Sequence, residues 1–185
     1  QPGGLGMLMP RETHDLSSGA IYYEYLGWDW MLHAAKLPYT RLDEAFVRAG
    51  KLPTLALRVL VLPGARAMDK DLAAEIGKWV AGGGTLVCSG MPASTDEHGH
   101  ALTESPLSRV IGVQPDGVTT EAVADTPLTV TLPHGIFTGM FAASTGRRPE
   151  FEVLKPVTAR VMSSYASGKP AITVNGYGKG KAVTM

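Results

Sequence analysis

Cys88, the single cysteine of this 185-residue chain, stands where a nucleophile could lie. It follows the apolar run 85–87 and precedes Ser89 and Gly90, a spacing that can form a tight elbow with the sulfur close to backbone N–H groups. A thiol nucleophile needs a histidine as base and a third group that orients the base. Free cysteine is also among the most buried residue types. Catalysis and packing are both open for Cys88, and packing or pocket lining is the interpretation we favour.

A loop further along the chain holds side chains that could in principle bind zinc: Asp96, Glu97, His98 and His100. These residues lie among Thr, Gly and Pro, and no other ligand set is spaced to complete a site. We therefore expect a solvated loop and no metal at this position.

The run 176–181, Gly-Tyr-Gly-Lys-Gly-Lys, has the glycines and lysines of a phosphate-binding loop. The match fails because no Ser or Thr follows either lysine and no helical pattern comes next. Glycines at such spacing supply the positive φ angles of a hairpin turn. The sequence thus predicts a hairpin here, formed by Asn175-Gly176 and the glycines that follow, and no cofactor.

Composition excludes several classes of partner. The chain has 17 basic and 17 acidic residues and 44% hydrophobic residues, which indicates a globular domain without the charge excess of a nucleic-acid or membrane-surface binder. No apolar run reaches the roughly 20 residues of a membrane span. One cysteine allows no internal disulfide, which favours the cytoplasm and leaves a removed signal peptide open. Because no initiator Met is present and the chain stops in a strand-like run, we expect 1–185 to be one domain of a longer protein.

The elements that must position these residues follow from hydrophobic periodicity. Apolar runs predict four early strands, at 5–9, 38–42, 55–62 and 85–88. Helical spacing predicts helices at 21–36, 43–50 and 69–81, while 11–18 has the composition of a loop. This alternation indicates a mainly parallel, flavodoxin-like three-layer α/β sandwich. The rest of the chain is typical of a short helix at 107–111, capped by Ser105, followed by strands at 128–132, 157–162, 171–174 and 181–185.

The helix at 21–36 has two apolar stripes. Tyr22, Leu26 and Trp30 form a second stripe beside the one that contains Tyr25, Trp28 and Leu32. A helix this broadly apolar is usually covered on more than one side. It is either a core helix or a contact with another domain or subunit. Its aromatic side chains could also stack on sugar rings, although core or interface positions are commoner for such spacing.

Three segments carry a family resemblance. They are 57–90, LRVLVLPGARAMDKDLAAEIGKWVAGGGTLVCSG; 95–113, TDEHGHALTESPLSRVIGV; and 168–183, GKPAITVNGYGKGKAV. Together they resemble the flavodoxin-like middle domain, or trimerisation domain, of glycoside hydrolase family 42 β-galactosidases. That domain belongs to the class I glutamine amidotransferase-like superfamily. The resemblance implies a non-catalytic accessory domain in a glycoside hydrolase, with the other domains of its parent chain and further copies, as a trimer, for partners.

The resemblance also bears on Cys88. Amidotransferases place their nucleophile in Gly-x-Cys-x-Gly and a His-x-Glu late in the chain. Here Leu86 replaces the first glycine, and His134 precedes Gly135 and Ile136 rather than Glu. A vestigial pocket is implied at Gly64, Ala65, Cys88, Ser89 and Gly90, with Tyr22, Leu26 and Trp30 as the interface.

Two alternatives stay open. One is an amidotransferase- or hydrolase-type enzyme with Cys88 as nucleophile and an N–H of the Gly64-Ala65 turn as oxyanion donor. The other is a carbohydrate-binding module that uses the pocket above Leu62.

Overall fold

The computed structural model describes residues 4–16, 20–119, 151–164 and 168–185, and the fold is that of these residues. The helices are α1 (Arg11–Leu16), α2 (Ala20–Ala34), α3 (Glu44–Arg48), α4 (Lys70–Ala81) and α5 (Ser108–Ile111), with a 3₁₀ turn at Leu52–Thr54. The strands are β1 (Leu5–Met9), β2 (Thr40–Asp43), β3 (Val59–Leu62), β4 (Thr85–Cys88), β5 (Val113–Thr119), β6 (Phe151–Pro156), β7 (Arg160–Ser164), β8 (Pro170–Tyr177) and β9 (Gly180–Thr184). No described helix is long and apolar enough to cross a lipid bilayer.

Seven of the described strands form one sheet in the order β2-β1-β3-β4-β9-β8-β7. The first five strands in that order run parallel, and β8 and β7 continue the sheet in antiparallel pairing. β5 and β6 pair with each other in a separate antiparallel sheet. This architecture confirms the predicted α/β class with a mainly parallel sheet and a hairpin-rich C-terminal portion.

The two faces of the large sheet are covered differently. On one face, α3, α4 and α5 enclose the larger core, whose buried members include Leu8, Leu60, Leu86, Ile76 and Ile111. On the other face, the described residues place α2 on the sheet, where its Tyr25 and Leu32 bury Met7 and Val61. Because side chains alternate along a strand, the nearly continuous apolar runs of β1 and β3 serve both cores.

Residues next to helix α4 in sequence cap its start and end it. Asp69 is the N-cap, and its carboxylate accepts a hydrogen bond from the Leu72 N–H at 2.8 Å. Leu72 and Ile76 point into the core. After the helix, Gly84 lies against the ring of Trp79, where an added Cβ would come within 2.4 Å of the ring carbons. The last glycine of Gly82-Gly83-Gly84 is therefore required by packing.

The β8–β9 hairpin forms as predicted, and its turn uses the later glycines of the predicted run. Tyr177 pairs with Gly180, so the turn consists of Gly178 and Lys179. Asn175 is instead buried within β8, and its side-chain amide donates to the carbonyls of Arg109 and Val110 at 3.1 and 2.9 Å. The Asn175 side chain thus satisfies backbone carbonyls of α5. The turn propensity of asparagine does not indicate this tertiary contact.

The glycines of this turn permit a close approach to the end of α4. Gly178 has φ +59°, and a Cβ there would lie 2.7 Å from the Ala81 backbone. A Cβ on Gly180 would lie 2.1 Å from the Val80 carbonyl oxygen. The Lys179 N–H donates to the Ala81 carbonyl at 2.9 Å, which satisfies one of the free carbonyls at the helix terminus. The glycines of this run therefore allow the hairpin turn to pack against the end of α4.

Residues 11–16, predicted as a loop, form the helix α1. The His14 N–H donates to the Pro10 carbonyl at 2.9 Å. The Thr13 hydroxyl accepts from the Ala67 N–H at 2.9 Å, so a buried polar contact anchors the helix. Periodicity missed it because α1 is held by polar tertiary contacts rather than by an apolar stripe.

Several strand predictions also need correction. β3 begins at Val59 rather than at residue 55, because the 3₁₀ turn Leu52–Thr54 and the following loop occupy the preceding residues. The predicted strand 157–162 straddles a turn, since the N–H groups of 157–159 all converge on the Gly112 carbonyl and β7 begins only at Arg160. β5 was not predicted. The predicted strand 128–132 lies outside the described residues.

Candidate functional site

The elbow after β4 forms where the parallel strands end. β4 lies between β3 and β9, and Gly90 takes φ +66°, which a glycine adopts without strain. The Ser89 N–H donates to the Leu62 carbonyl at 3.3 Å, and the Gly90 N–H donates to the Met185 carbonyl at 2.8 Å. Both amides that follow Cys88 are therefore used by the backbone and do not point at a free anion site.

The Cys88 thiol is fully buried, with 0% exposure. It donates to the Val183 carbonyl at 3.5 Å and lies 3.4 Å from the Thr184 hydroxyl oxygen. Burial raises the pKa of the Cys88 thiol to about 12, against a smaller lowering by the Thr184 hydrogen bond. Since the thiolate is the nucleophile, this environment holds Cys88 in its unreactive form at neutral pH.

Ser89, the next residue, closes the space above the elbow. Its hydroxyl oxygen accepts hydrogen bonds from the indole N–H of Trp28 at 3.2 Å and from the backbone N–H of Gly64 at 3.2 Å. Trp28 belongs to α2, so the helix reaches across the end of β4. The Gly64 N–H, which could have stabilised an oxyanion, already has an internal partner.

The structure brings the proposed vestigial pocket residues together. Gly64 and Ala65 follow β3 and are buried. Cys88 is the last residue of the paired strand β4, and Ser89 and Gly90 come directly after it. The Ser89 hydroxyl accepts hydrogen bonds from the Gly64 N–H within the pocket and from the Trp28 indole of α2. The arrangement offers packing and a closed hydrogen-bond network rather than a nucleophile, a base and an open volume between them.

A second polar cluster, not predicted above, lies at the ends of β1, β2 and β3. It joins Glu12 of α1, Glu44 and Arg48 of α3, and Asp69 at the start of α4; we refer to these four residues as the charge cluster. Arg48 donates to Glu12 at 2.5 Å through Nη2 and to Asp69 at 2.7 Å through Nε. Glu12 in turn accepts from the Asp69 N–H at 3.2 Å.

The charge cluster holds three carboxyl groups and one guanidinium. Glu44 is 5% exposed, and burial, followed by the charge of Glu12, raises its pKa to about 7. Burial and the charge of Asp69 raise the pKa of Glu12. Burial would also raise the pKa of Asp69, but hydrogen bonds from Arg48 and Leu72 outweigh it and lower the value. The cluster ties three helices together and keeps a proton on Glu44 into the neutral range.

The loop with the candidate zinc ligands is organised by one carboxylate. Asp96 accepts from the backbone N–H groups of His98 and His100 at 2.9 and 2.8 Å, and its other oxygen lies 3.0 Å from His100 Nδ1. Glu97 Oε1 lies 3.7 Å from His98 Nε2. Within the described residues no group of three or more potential ligands could hold a metal ion.

A groove lies at the opposite edge of the sheet from the elbow, beside the start of β3 and the end of α4. It has a volume of about 510 Å³ and lies beside the 3₁₀ turn and the end of α4, lined among others by Leu52, Leu55, Arg58, Lys78 and Trp79. It is remote from Cys88, and its Lys78 is paired with Glu75 at 2.6 Å. The groove therefore adds no chemistry to the elbow.

The predicted interface stripe lies on the flank of α2 that faces away from the core. Trp30 is 75% exposed, and Leu26, one turn before it, is half-buried. Tyr22 belongs to the same helix, but its side chain lies outside the described part of the structure. We refer to Leu26 and Trp30 as the α2 flank. Of the large apolar side chains that the described residues expose, Trp30 is the most exposed.

Sequence reasoning missed two contributions to these sites. Trp28 was assigned to the core stripe, and its bond to Ser89 was not foreseen because the two residues are 61 positions apart. Glu12 was placed in a loop. The available signal was positional, since Asp43-Glu44 and Asp69 each open a helix after a parallel strand and so lie at one edge of the sheet.

Comparison with known proteins gives a consistent family and fold. The family model described as the β-galactosidase trimerisation domain matches residues 42–185. A comparison with curated proteins finds no match.

Among solved structures, the β-galactosidase from Rahnella sp. R3 superposes with a TM-score of 0.77 at 19% identity, over 99% of this chain and 28% of that one. The β-galactosidase from Bacillus circulans sp. alkalophilus gives 0.74 at 17% identity, over 100% and 28%. An exo-β-1,4-mannosidase from Opitutaceae bacterium strain TAV5 gives 0.61 at 15%, over 100% and 31%. At these identities the likeness shows the fold, and this chain spans less than a third of each of those proteins.

Proposed function

Because this chain belongs to the β-galactosidase trimerisation domain family, we propose that it is a non-catalytic module that holds together the subunits of a larger glycoside hydrolase. Residues 1–185 would act as one unit, packed against the other domains of its parent chain. The hydrolysis of β-galactosides would belong to those other domains. This proposal rests on the family match and on the fold shared with a part of two longer β-galactosidases.

The closed elbow is the observation that carries the non-catalytic part. A cysteine enzyme needs a thiolate, a base and room for a substrate. Cys88 has a buried thiol with a raised pKa, and the Ser89 hydroxyl and the Gly64 N–H are bonded to each other. The same closure argues against a carbohydrate pocket above Leu62, since Trp28 occupies that side of Ser89.

The exposed α2 flank supports the association part. Oligomer contacts are enriched in aromatic residues, and tryptophan is prominent among the side chains that dominate binding energy. A net charge of zero also removes the long-range repulsion between copies that a strongly charged domain would have. Nucleic acid and membrane partners are not part of the proposal.

Activity of the full-length protein tests the non-catalytic role. Cys88→Ala should hydrolyse a chromogenic β-galactoside with a kcat/KM within about twofold of wild type, because the thiol contacts no reacting group. A loss of about 100-fold or more, with an unchanged melting temperature, would contradict the proposal. As a second readout, an alkylating probe should not modify the peptide that contains Cys88 in the native protein, but should modify it in urea.

The association part is tested by sedimentation. The full-length protein should sediment as a self-associated species, and Trp30→Glu should weaken the association. Strict monomers of the wild-type protein at micromolar concentration would contradict the role in oligomerisation.

A further inference from the structure

Helix α1 is held to the rest of the domain by polar contacts rather than by the core. Its buried residue is Thr13, whose hydroxyl exchanges hydrogen bonds with the Ala67 backbone at 2.9 and 3.3 Å. Leu16, the last residue of the helix, is 49% exposed. Among the described residues, neither apolar core includes a side chain of α1. A segment with so few buried apolar contacts opens at a lower free energy than the domain as a whole.

The carboxyl group of Glu44 lies against the start of this helix. The backbone N–H of Glu12 faces both of its oxygens, at 3.4 and 3.3 Å. With α1 in place, Glu44 is 5% exposed. Release of α1 removes the contact with Glu12 and opens the carboxyl group to water. The docking of α1 and the burial of Glu44 are therefore linked.

Charged groups surround Glu44 from each element that meets there. They are Arg11 and Glu12 of α1, Asp43 of β2, Arg48 of α3 and Asp69 at the start of α4. The two cations already have partners, since Arg11 pairs with Asp43 at 3.2 Å and Arg48 bonds Glu12 and Asp69. Ionised Glu44 would thus add a third carboxylate around the one guanidinium of Arg48. The attraction of Arg48 and the Glu12 N–H is outweighed by lost hydration and by the charge of Glu12.

We propose that α1 is a pH-sensitive latch, which stays docked on α3 and the start of α4 while Glu44 carries its proton and opens more often once Glu44 is ionised. Glu12 couples the two events, because its N–H contacts Glu44 and its carboxylate contacts Arg48 and the Asp69 N–H. Helix α1 also contacts α2, so its release removes a neighbour from that helix. The latch is a property of the domain itself and does not rest on the role in oligomerisation.

The direction of the pH effect follows from proton linkage. With α1 docked, burial and the charge of Glu12 raise the pKa of Glu44 to about 7. With α1 released, the carboxyl group is hydrated and its pKa returns towards the ordinary value of 4.5. The docked state therefore holds the proton more tightly. Docking is strongest below pH 4.5 and weakens as the pH rises through about 7.

Amide hydrogen exchange of the full-length protein tests the latch. Exchange of the peptide that covers residues 11–16 is followed by mass spectrometry from pH 5.5 to pH 8.5, and each rate is divided by the intrinsic rate at that pH. In the wild-type protein the protection of α1 should fall by about 10-fold or more across this range, while that of α4 stays constant. Glu44→Gln, which cannot ionise, should make the protection of α1 independent of pH. Glu97→Gln, at an exposed loop carboxyl, is the matched control and should keep the wild-type profile.

A second variant tests the charge that faces Glu44. Glu12→Gln removes the carboxylate that raises the pKa of Glu44 but keeps a side-chain oxygen for Arg48 and the Asp69 N–H. The fall in α1 protection should therefore begin at a lower pH than in the wild-type protein. Folding of each variant is checked by its circular dichroism spectrum, and Glu12→Gln decides the test if Glu44→Gln is unfolded.

The outcomes separate a local latch from a general loss of stability. A fall in protection that is confined to α1 and absent from Glu44→Gln supports the latch. Constant protection of α1 in the wild-type protein, an equal fall in α4, or a fall that persists in folded Glu44→Gln overturns it. An unchanged profile in Glu12→Gln does the same. Each of these results leaves the role in oligomerisation standing, because sedimentation tests that role separately.

Discussion

Two polar regions lie at the carboxyl edge of the same sheet, and they are built in opposite ways. At the end of β4, Ser89 and Gly64 form a neutral network in which every donor named above has a partner. At the ends of β1, β2 and β3, the charge cluster sets three carboxyl groups against one guanidinium. In α/β folds this edge of the sheet often carries the active site. Here one region closes the space above the elbow by hydrogen bonds, and the other places three carboxyl groups around one guanidinium.

This difference teaches that position at the carboxyl edge is not enough to define an active site. Cys88 has the position, but its thiol is buried and its surroundings are closed. The charge cluster has perturbed carboxyl groups, but Arg48 and the backbone N–H groups of Glu12 and Asp69 engage them. The two regions should therefore respond differently to mutation and pH, and that response can be measured.

The largest effect is expected on removing the cation of the charge cluster. Arg48→Met leaves Glu12, Glu44 and Asp69 facing one another, which should lower the free energy of unfolding by about 3 to 4 kcal/mol. Arg11→Met is the control, because the Arg11–Asp43 pair, at 3.2 Å, is exposed and worth less than about 1 kcal/mol. Urea unfolding at pH 7 measures both. Equal small losses would show that the cluster is no different from a surface ion pair.

A smaller effect is expected from neutralising Glu44. Its pKa in the folded chain, about 7, is above the ordinary carboxyl value of 4.5, so the folded state holds the proton more tightly. The contribution of Glu44 to the free energy of unfolding should then be greatest below pH 4.5, and should fall as the pH rises to 7 and beyond. Glu44→Gln, which mimics the protonated form, should be about 2 kcal/mol more stable than wild type at pH 8 and similar at pH 5.

The difference between the two pH values is the decisive quantity for Glu44. Glu97→Gln, at an exposed loop carboxyl, controls for the change in net charge and should not alter the pH profile. A Glu44→Gln variant whose advantage is the same at pH 5 and pH 8 would show that the buried carboxyl is ionised throughout.

The smallest effect is expected at the neutral elbow. Ser89→Ala leaves the N–H groups of Trp28 and Gly64 without their acceptor, which should cost about 1 to 2 kcal/mol at any pH between 5 and 8. Trp28→Phe removes one donor but leaves the hydrogen bond from the Gly64 N–H to Ser89. The loss of free energy of unfolding from hydrogen bonding should therefore be smaller than for Ser89→Ala. Ser108→Ala, at a half-buried hydroxyl that bonds Glu104, is the control for a lost serine hydroxyl. A marked pH dependence of the Ser89→Ala loss would mean that the elbow is coupled to a titrating group.

Elements with an apolar period could be predicted from the sequence, because burial leaves a repeating pattern in the residues. β1, β4, α2 and α4 are examples, and the position of Cys88 at the end of a buried strand follows from them. Helix α1 leaves no such pattern, since Thr13 is anchored by hydrogen bonds to Ala67 rather than by apolar packing. β5 contains Pro115 and Gly117. Both residue types are unfavourable inside a strand, so local propensity does not predict β5.

The chemistry of the sites was less predictable than their location. Closure of the elbow depends on Trp28 reaching Ser89, and the charge cluster depends on Arg48 reaching Glu12, 36 residues away. Neither contact is encoded by spacing along the chain. The hairpin was predictable from Asn175-Gly176 and the glycines that follow, but the hydrogen bonds of the Asn175 side chain to the carbonyls of α5 were not.

The position of β9 between β4 and β8 also bears on how the domain is made. A ribosome releases β1 to β4 well before residues 180–184, so β4 lacks its β9 partner while residues 89–179 are synthesised. An uncovered strand edge of that kind can pair with other chains. The nascent domain therefore depends on the arrival of β9 to bring the parallel and antiparallel halves of the sheet together.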